Sequence, residues 1–427
     1  MPRIAVILLG SVSAFCIYVC TYGLRKGFTA NTYQGQHFFG VDYKILLVSS
    51  QIFGYALSKF LGIRFIAGIR PDQRRRSILL LMLLAWVSLS GLALVKPPWG
   101  MFFLFLNGLP LGLIWGLIYS YLEGRRYTEL MGAILCTSFI FSSGLVKTIG
   151  QGLLQYYHVS DSWMPFAVGA LFIPPLLLFT FLLDLTPPPD QLDLQSRSAR
   201  LPMLPAERKA LIASFGAGLV FNIILYILLT VMRDMRDNFE VEIWHGMIKG
   251  KLPAAIYTQI DAPVSLCILM IMSLLIVVRQ NLRAFQLAHL AILLGFVLIG
   301  VAATLYYQQL ISPYLLMYGV AFGLYLAYVP YSILFFERLI ALFRVKGNVG
   351  FLIYLSDSIG YTGTITVMLI KQFGSGNQPW GSFFIHSLTL VSFIGMVCII
   401  LSYRYFMKIY GLTRPAPLET RDEGQVI

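Results

Sequence analysis

The chain has 427 residues, 58% hydrophobic and only 12% charged, with a net charge of +13. A soluble domain carries about 25% charged residues, so charge this sparse excludes a fully solvated globular surface. The excess of Arg and Lys sits between apolar runs and is not interleaved with aromatics, which excludes nucleic acid and points to anionic lipid headgroups.

The apolar runs, in chain order, are 4–24, 43–66, 77–95, 98–122, 129–155 and 163–184, then 209–232, 252–278, 284–306, 313–340, 347–372 and 380–406. Each is near the roughly 20 residues that cross about 30 Å of hydrocarbon. Each is predicted to be a helix, because lipid leaves backbone polar groups no partner outside the segment. The first run, starting at Ile4, is too long for a secretory signal and lacks a small-x-small cleavage site, so it is expected to remain as a helix. Pro-rich, polar text at 185–208 separates the sixth run from the seventh and reads as a linker. The expected organisation is an N-terminal six-helix bundle (1–184), a cytoplasmic linker (185–208), a C-terminal six-helix bundle (209–408) and a cytoplasmic tail (409–427).

Alternate loops collect Arg and Lys: Arg70, Arg74, Arg75 and Arg76; Arg125 and Arg126; Arg197, Arg200, Arg208 and Lys209; Arg279 and Arg283; Arg338, Arg344 and Lys346. The remaining loops hold few, such as Lys96 and Lys371. Cytoplasmic loops carry the Lys/Arg excess, so both termini are expected in the cytoplasm of a multi-pass protein in a cell membrane, of the bacterial inner-membrane kind.

The two halves echo one another. GLIWGLIYSYLEGRR (112–126) and GLYLAYVPYSILFFER (323–338) close the fourth and tenth runs on acidic-basic pairs, Glu123/Arg125 and Glu337/Arg338. YGLRKGF (22–28) matches RDMRDNF (233–239), and QIFGY (51–55) matches QIDAP (259–263). Parallel repeats with a site between them are a transporter arrangement.

The chemistry lies in cations inside apolar text. Arg25 and Lys26 end the first run, Arg233 and Arg236 end the seventh, and Lys59 and Lys147 sit mid-run. A charge near the bilayer centre costs roughly 2.5–3.5 kcal/mol on insertion scales, so such residues face a cavity or a partner. Asp261 and Asp357 are the intramembrane acids that could neutralise them or carry a proton. Uncompensated cations would repel one another across an empty cavity, and a bound anion would draw the halves together. Tyr18, Tyr22 and Arg25, at i, i+4 and i+7, share one helix face. Trp115, Tyr119, Tyr328, Tyr331, Tyr354 and Tyr361 add aromatic surface. Glu123 and Glu337 are candidate gate carboxylates beside their arginines.

YGLRKGF followed by SSQIFGYALSKFLGIR resembles helices one and two of the organophosphate:phosphate antiporter family within the major facilitator superfamily. LGLIWG (111–116) and GFLIYLSDSIGYTG (350–363) extend the resemblance to helices four and eleven. It implies an all-α membrane protein of about twelve transmembrane helices in two six-helix bundles. It implies that Arg25 grips a phosphate with Tyr18 and Tyr22 beside it, that Lys59 is a cavity lysine, and that Trp115 and Tyr361 line the pocket. The second phosphate arginine would be Arg236 by the internal repeat or Arg233 by depth in the membrane. Phe141 stands where the family has a helix-five His.

The expectation is a monomeric secondary transporter of a small organic anion, phosphorylated, with phosphate or protons as coupling ion. The alternatives are a proton-coupled symporter of another solute and a membrane sensor of an organophosphate. No cofactor or metal is expected: Cys16, Cys20, Cys136, Cys267 and Cys398 form no C-x-x-C, and the five His residues form no H-x-x-x-H or hydrolase pattern.

Overall fold

The computed structural model describes residues 3–125, 127–190, 193, 205–343, 345, 349–374 and 378–413, without the side chains at 3, 60–68, 205, 206, 208, 210, 349–351, 354 and 413. Most of the linker, Arg126, Arg197, Arg200, Arg344, Lys346 and the tail beyond Thr413 lie outside the described residues.

The fold is all-α and of major-facilitator type, two six-helix bundles side by side. The first holds α1 (Arg3–Lys26), α2 (Tyr43–Gly68), α3 (Arg74–Leu94), α4 (Gly100–Leu122), α5 (Thr128–Gln155) and α6 (Met164–Asp184). The second holds α7 (Pro205–Met247), α8 (Ile256–Val277), α9 (Asn281–Tyr307), α10 (Pro313–Pro330, continuing through a π turn at Tyr331–Phe335 into Phe336–Phe343), α11 (Val349–Gly374) and α12 (Trp380–Thr413). Pro330 causes the π turn, since its ring removes a donor from the helix ladder. Successive helices run antiparallel, so α1 begins and α12 finishes at one end of the bundle, the terminal end. At the opposite, far end, α1 passes through a 3₁₀ turn (Gly27–Ala30) and a short hairpin pairing β1 (His37–Phe38) with β2 (Val41–Asp42).

The outer surface is apolar: Leu84, Leu274 and Phe393 are each more than half exposed. In water such a surface would aggregate; lipid is the matching solvent, and among the described residues ten helices are long and apolar enough to cross a membrane. Small residues set the closest approaches. A methyl group at Gly108 would stand 2.3 Å from the Gln51 carbonyl oxygen, so α2 and α4 touch through backbone. Between the halves, Gly144 on α5 does the same against the Tyr257 carbonyl of α8, at 2.5 Å. This α5–α8 contact is the most extensive one joining the two bundles.

The sequence reading ends the seventh helix at 232; α7 instead runs to Met247, with a non-helical residue at Phe239 (φ −120°, ψ 19°). Charged text ended the apolar run in the sequence, whereas the helix carries on through Arg233 and Arg236 to a kink at Phe239 and resumes beyond it. Arg236, Asp237 and Glu240 are buried there, because neighbouring helices supply the opposite charges that lower the cost of burial.

Candidate functional site

α1 positions its functional end through backbone capping from other helices. The last carbonyls of a helix have no intrahelical donor. Gln51 Nε2 donates to the Arg25 carbonyl at 2.7 Å and Asn107 Nδ2 to the Leu24 carbonyl at 3.1 Å, and the two amides bond each other at 2.8 Å. This fixes where Arg25 points. Its guanidinium lies 4.0 Å over the Tyr55 ring and 6.0 Å from the Tyr22 ring centroid. Tyr18 packs on Tyr22, and Tyr361 from the second half meets Tyr55 edge-on at 5.6 Å. Arg25 is only 7% exposed, yet among the described residues its guanidinium makes no ion pair and its Nε finds no acceptor.

The other two cations at the centre are paired. Lys59 on α2 forms an ion pair with Asp357 on α11 and lies 5.1 Å over both the Tyr55 and Tyr361 rings. Tyr226 donates to the other Asp357 oxygen. Arg233 lies 2.9 Å from Asp234, bonds the Tyr328 hydroxyl and shares the neighbours Tyr22, Tyr55 and Tyr361 with Arg25. Three cations therefore face two carboxylates, Asp234 and Asp357, and the one left over is Arg25.

A second ionic cluster lies toward the far end and is neutral. Lys26 bonds Asn238 and lies 3.4 Å from Asp237. Lys147 lies 2.9 Å from Glu240 and 3.4 Å from Asp237, while Ser143 donates to Asp237 at 2.7 Å. Arg236 pairs with Glu240 at 3.1 Å and with Asp261. Lys44 reaches Glu242 at 2.6 Å and the Thr29 carbonyl at 3.0 Å. Four cations meet four carboxylates in these contacts. Of these ion pairs, all but Arg236–Glu240 and Arg236–Asp261 cross between the halves. Lys147, Arg236, Glu240 and Asp261 are 0–1% exposed, against 4–8% for the Tyr18, Tyr22, Tyr55 and Tyr361 wall. Thr148 and Thr258 hydroxyls bond across the same seam at 2.7 Å. These contacts knit the two halves together at the far end, where the Glu242 side chain keeps 14% exposure; at the terminal end, Arg338 crosses to Glu129 at 3.3 Å.

These contacts revise several expectations. The expected self-repelling cavity is not found: Lys59, Asp357, Arg233, Arg236, Lys147, Asp261 and Lys26 all sit in ion pairs, because α7 supplies Asp234, Asp237, Glu240 and Glu242. Of the two candidate arginines, Arg233 shares the surroundings of Arg25, while Arg236 is enclosed in the far cluster. Lys26 and Lys147 join that cluster too. Trp115 stacks on Tyr119 at 4.8 Å, one turn along α4, and makes no ring contact with Arg25. Arg338 reaches across to Glu129 on α5 rather than to its neighbour Glu337. Arg125 donates to the Tyr121 and Pro187 carbonyls, because Gly124 (φ +81°) turns the chain back over the end of α4. Tyr55, Tyr226, Lys44 and the α7 acids carry the architecture and were not singled out from sequence. A signal existed: RDMRDNFEVE (233–242) alternates charge at helical spacing.

A family model described as a family of unknown function (DUF5690) matches residues 27–409. No curated protein matches the chain by sequence. Among solved structures, a D-xylose-proton symporter is similar at 15% identity and TM-score 0.62, over 95% of this chain and 98% of that one. A bacterial homologue of the human drug peptide transporters PepT1 and PepT2 is similar at 13% identity and TM-score 0.64, over 97% and 100%. The xylose transporter XylE from E. coli, in an inward open conformation, is similar at 14% identity and TM-score 0.59, over 94% and 96%.

Proposed function

The chain belongs to DUF5690, a family of unknown function, and from the geometry of its centre we propose that it is a secondary active transporter of a small organic anion, working by alternating access. The observation that carries the reading is Arg25. Taking an ion out of water costs several kcal/mol even after relaxation, and stacking on aromatic faces returns about 2 kcal/mol. Arg25 has the aromatic faces and no carboxylate. A mobile anion supplies the missing partner, and the guanidinium fork suits a carboxylate, sulfonate or phosphate group.

The rest of the molecule supports movement. Arg25, Tyr22, Tyr55 and Lys59 belong to one bundle, Arg233, Asp357 and Tyr361 to the other, so a solute between them contacts both. The far-end ion pairs seal this conformation on one side, and breaking them while Arg338–Glu129 and its surroundings tighten would expose the same centre to the other. On this reading the Arg- and Lys-rich loops and the termini face the cytoplasm and the far end faces outside. The solved structures of similar fold are titled as sugar and peptide transporters and a symporter. The motif in α1 and α2 makes a phosphorylated anion, exchanged for inorganic phosphate, the first substrate class to test.

Proton coupling is a second reading, favoured by Asp357, which joins Lys59 and Tyr226 at the centre. Reconstituted protein in vesicles loaded with phosphate separates the two. Anion exchange without a proton gradient supports the antiporter, and gradient-dependent uptake supports the symporter. Binding without flux in either condition contradicts transport and leaves a membrane sensor.

A further inference from the structure

The charge count at the centre sets the valence of the solute. We infer that the site is built for an oxyanion carrying one negative charge, such as a sulfonate, a carboxylate, a phosphodiester or the singly protonated form of a phosphate monoester, and that it disfavours the dianion. This rests on the reading of the centre as an anion transporter's site.

The argument runs through every charged group around Arg25. On its own helix it faces Tyr18, Tyr22 and Lys26, and Lys26 is held by Asp237 and Asn238. From α2 it meets Tyr55, with Lys59 beyond, held by Asp357. From α7 come Asp237, which makes no ion pair with Arg25 and is held by Lys26 and Lys147, and Arg233, which shares the Tyr22 and Tyr55 neighbours and is held by Asp234. From α11 it meets Tyr361. Every cation except Arg25 has a carboxylate, and every carboxylate has a cation. One negative charge therefore completes the centre.

A second negative charge would need a cation released from its acid. Lys59 is such a group, because it lies over the same Tyr55 ring as Arg25 and over Tyr361. Its release would strand Asp357 in a low-dielectric interior, where an unpaired charge is costly. The unpartnered Arg25 Nε is a donor already present for the first charge. Among the described residues no second cation without a carboxylate stands beside it; Arg236 also has unpartnered nitrogens, but its charge is held by Glu240 and Asp261.

The test compares matched probes on the purified protein: a panel of small polyols bearing a phosphate monoester, and the same skeletons bearing a sulfonate. The phosphate monoester passes from dianion to monoanion near pH about 6, whereas the sulfonate keeps one charge throughout. Binding is followed by ligand-induced thermal shift or calorimetry from about pH 8 to about pH 6. The expected result is that the phosphate ester tightens by about tenfold or more over this range, matching the growth of its monoanion, while the sulfonate changes by less than about twofold. Asp357→Asn, which frees Lys59, should shift the preference toward the dianion and flatten the phosphate ester's pH profile. If the phosphate ester binds more tightly as the dianion at high pH in the wild-type protein, the valence inference is wrong and the anion reading stands. If no member of the panel binds at any pH, the anion reading fails and the inference with it. The wild-type comparison decides the matter even where the variant does not fold.

Discussion

The Arg25 guanidinium carbon lies 4.0 Å from the Tyr55 ring centroid, and no carboxylate among the described residues pairs with it. That relationship separates Arg25 from the other intramembrane cations at the centre and in the far cluster. They are parts of a structure already neutralised; it is a charge held ready by aromatic faces and by a helix end that Gln51 and Asn107 fix in place.

Lys59 and Asp357 link the halves at the centre. Removing one partner of a buried pair leaves a stranded charge and costs about 3–5 kcal/mol, whereas replacing both with apolar groups of similar size is often near neutral. Lys59→Met alone and Asp357→Leu alone should each destabilise the protein in detergent, and the double substitution should recover most of the loss. Thermal unfolding of the three variants checks this. A double variant that is merely the sum of the singles would mean that the two side chains do not depend on each other.

The far-end seam predicts a cross-link. Thr148 and Thr258 oppose each other with hydroxyls 2.7 Å apart. In a background without the five native cysteines, Thr148→Cys with Thr258→Cys should oxidise readily, stop transport, and recover on reduction. Rapid oxidation with undiminished flux would show that this end need not open.

Gly144 is a packing prediction. A side chain there would stand 2.5 Å from the Tyr257 carbonyl and 2.8 Å from Asp261 Cβ. Gly144→Val should push α5 from α8 and cost about 1–3 kcal/mol or more, as overpacking does. The read-out is lower yield of folded protein and a lower unfolding temperature, with Gly144→Ala milder.

The terminal end is expected in the cytoplasm. Single cysteines placed at Asp72 and Glu123 should react with an impermeant thiol reagent only after the membrane is opened, while one at Gln36 should react from outside intact cells. The reverse labelling would overturn the orientation drawn from loop charge.

Much of the fold was legible in the sequence because bilayer thickness dictates run length and the Pro-rich text at 185–208 interrupts it. Arg25 and Lys59 stood out for the same reason, as cations in apolar flanks. The pairing was harder to read. The run from Arg233 to Glu242 looks like the end of a membrane segment, since hydropathy counts each charge as exposed. Only the arrival of Lys26, Lys44 and Lys147 from the other half makes those acids buriable, and that meeting depends on tertiary packing. Tyr55 was hidden for a related reason: an aromatic in a membrane helix is ordinarily packing, and its role appears only when Arg25 lies over it. Trp115 carried a family pattern, and its neighbour in the fold is Tyr119.

The most direct test replaces Arg25, which has no carboxylate among the described residues, and measures binding of a transported anion. A charge-assisted bond of this kind is worth about 1.5–3 kcal/mol, so Arg25→Gln should weaken anion binding by about tenfold to about a hundredfold in calorimetry, with the unfolding temperature of the anion-free protein unchanged or raised. Arg25→Lys should retain part of the affinity, since it keeps the charge and loses the fork. If Arg25→Gln binds the anion as tightly as the wild-type protein, the guanidinium is not the group that holds the solute, and the account of the site is contradicted.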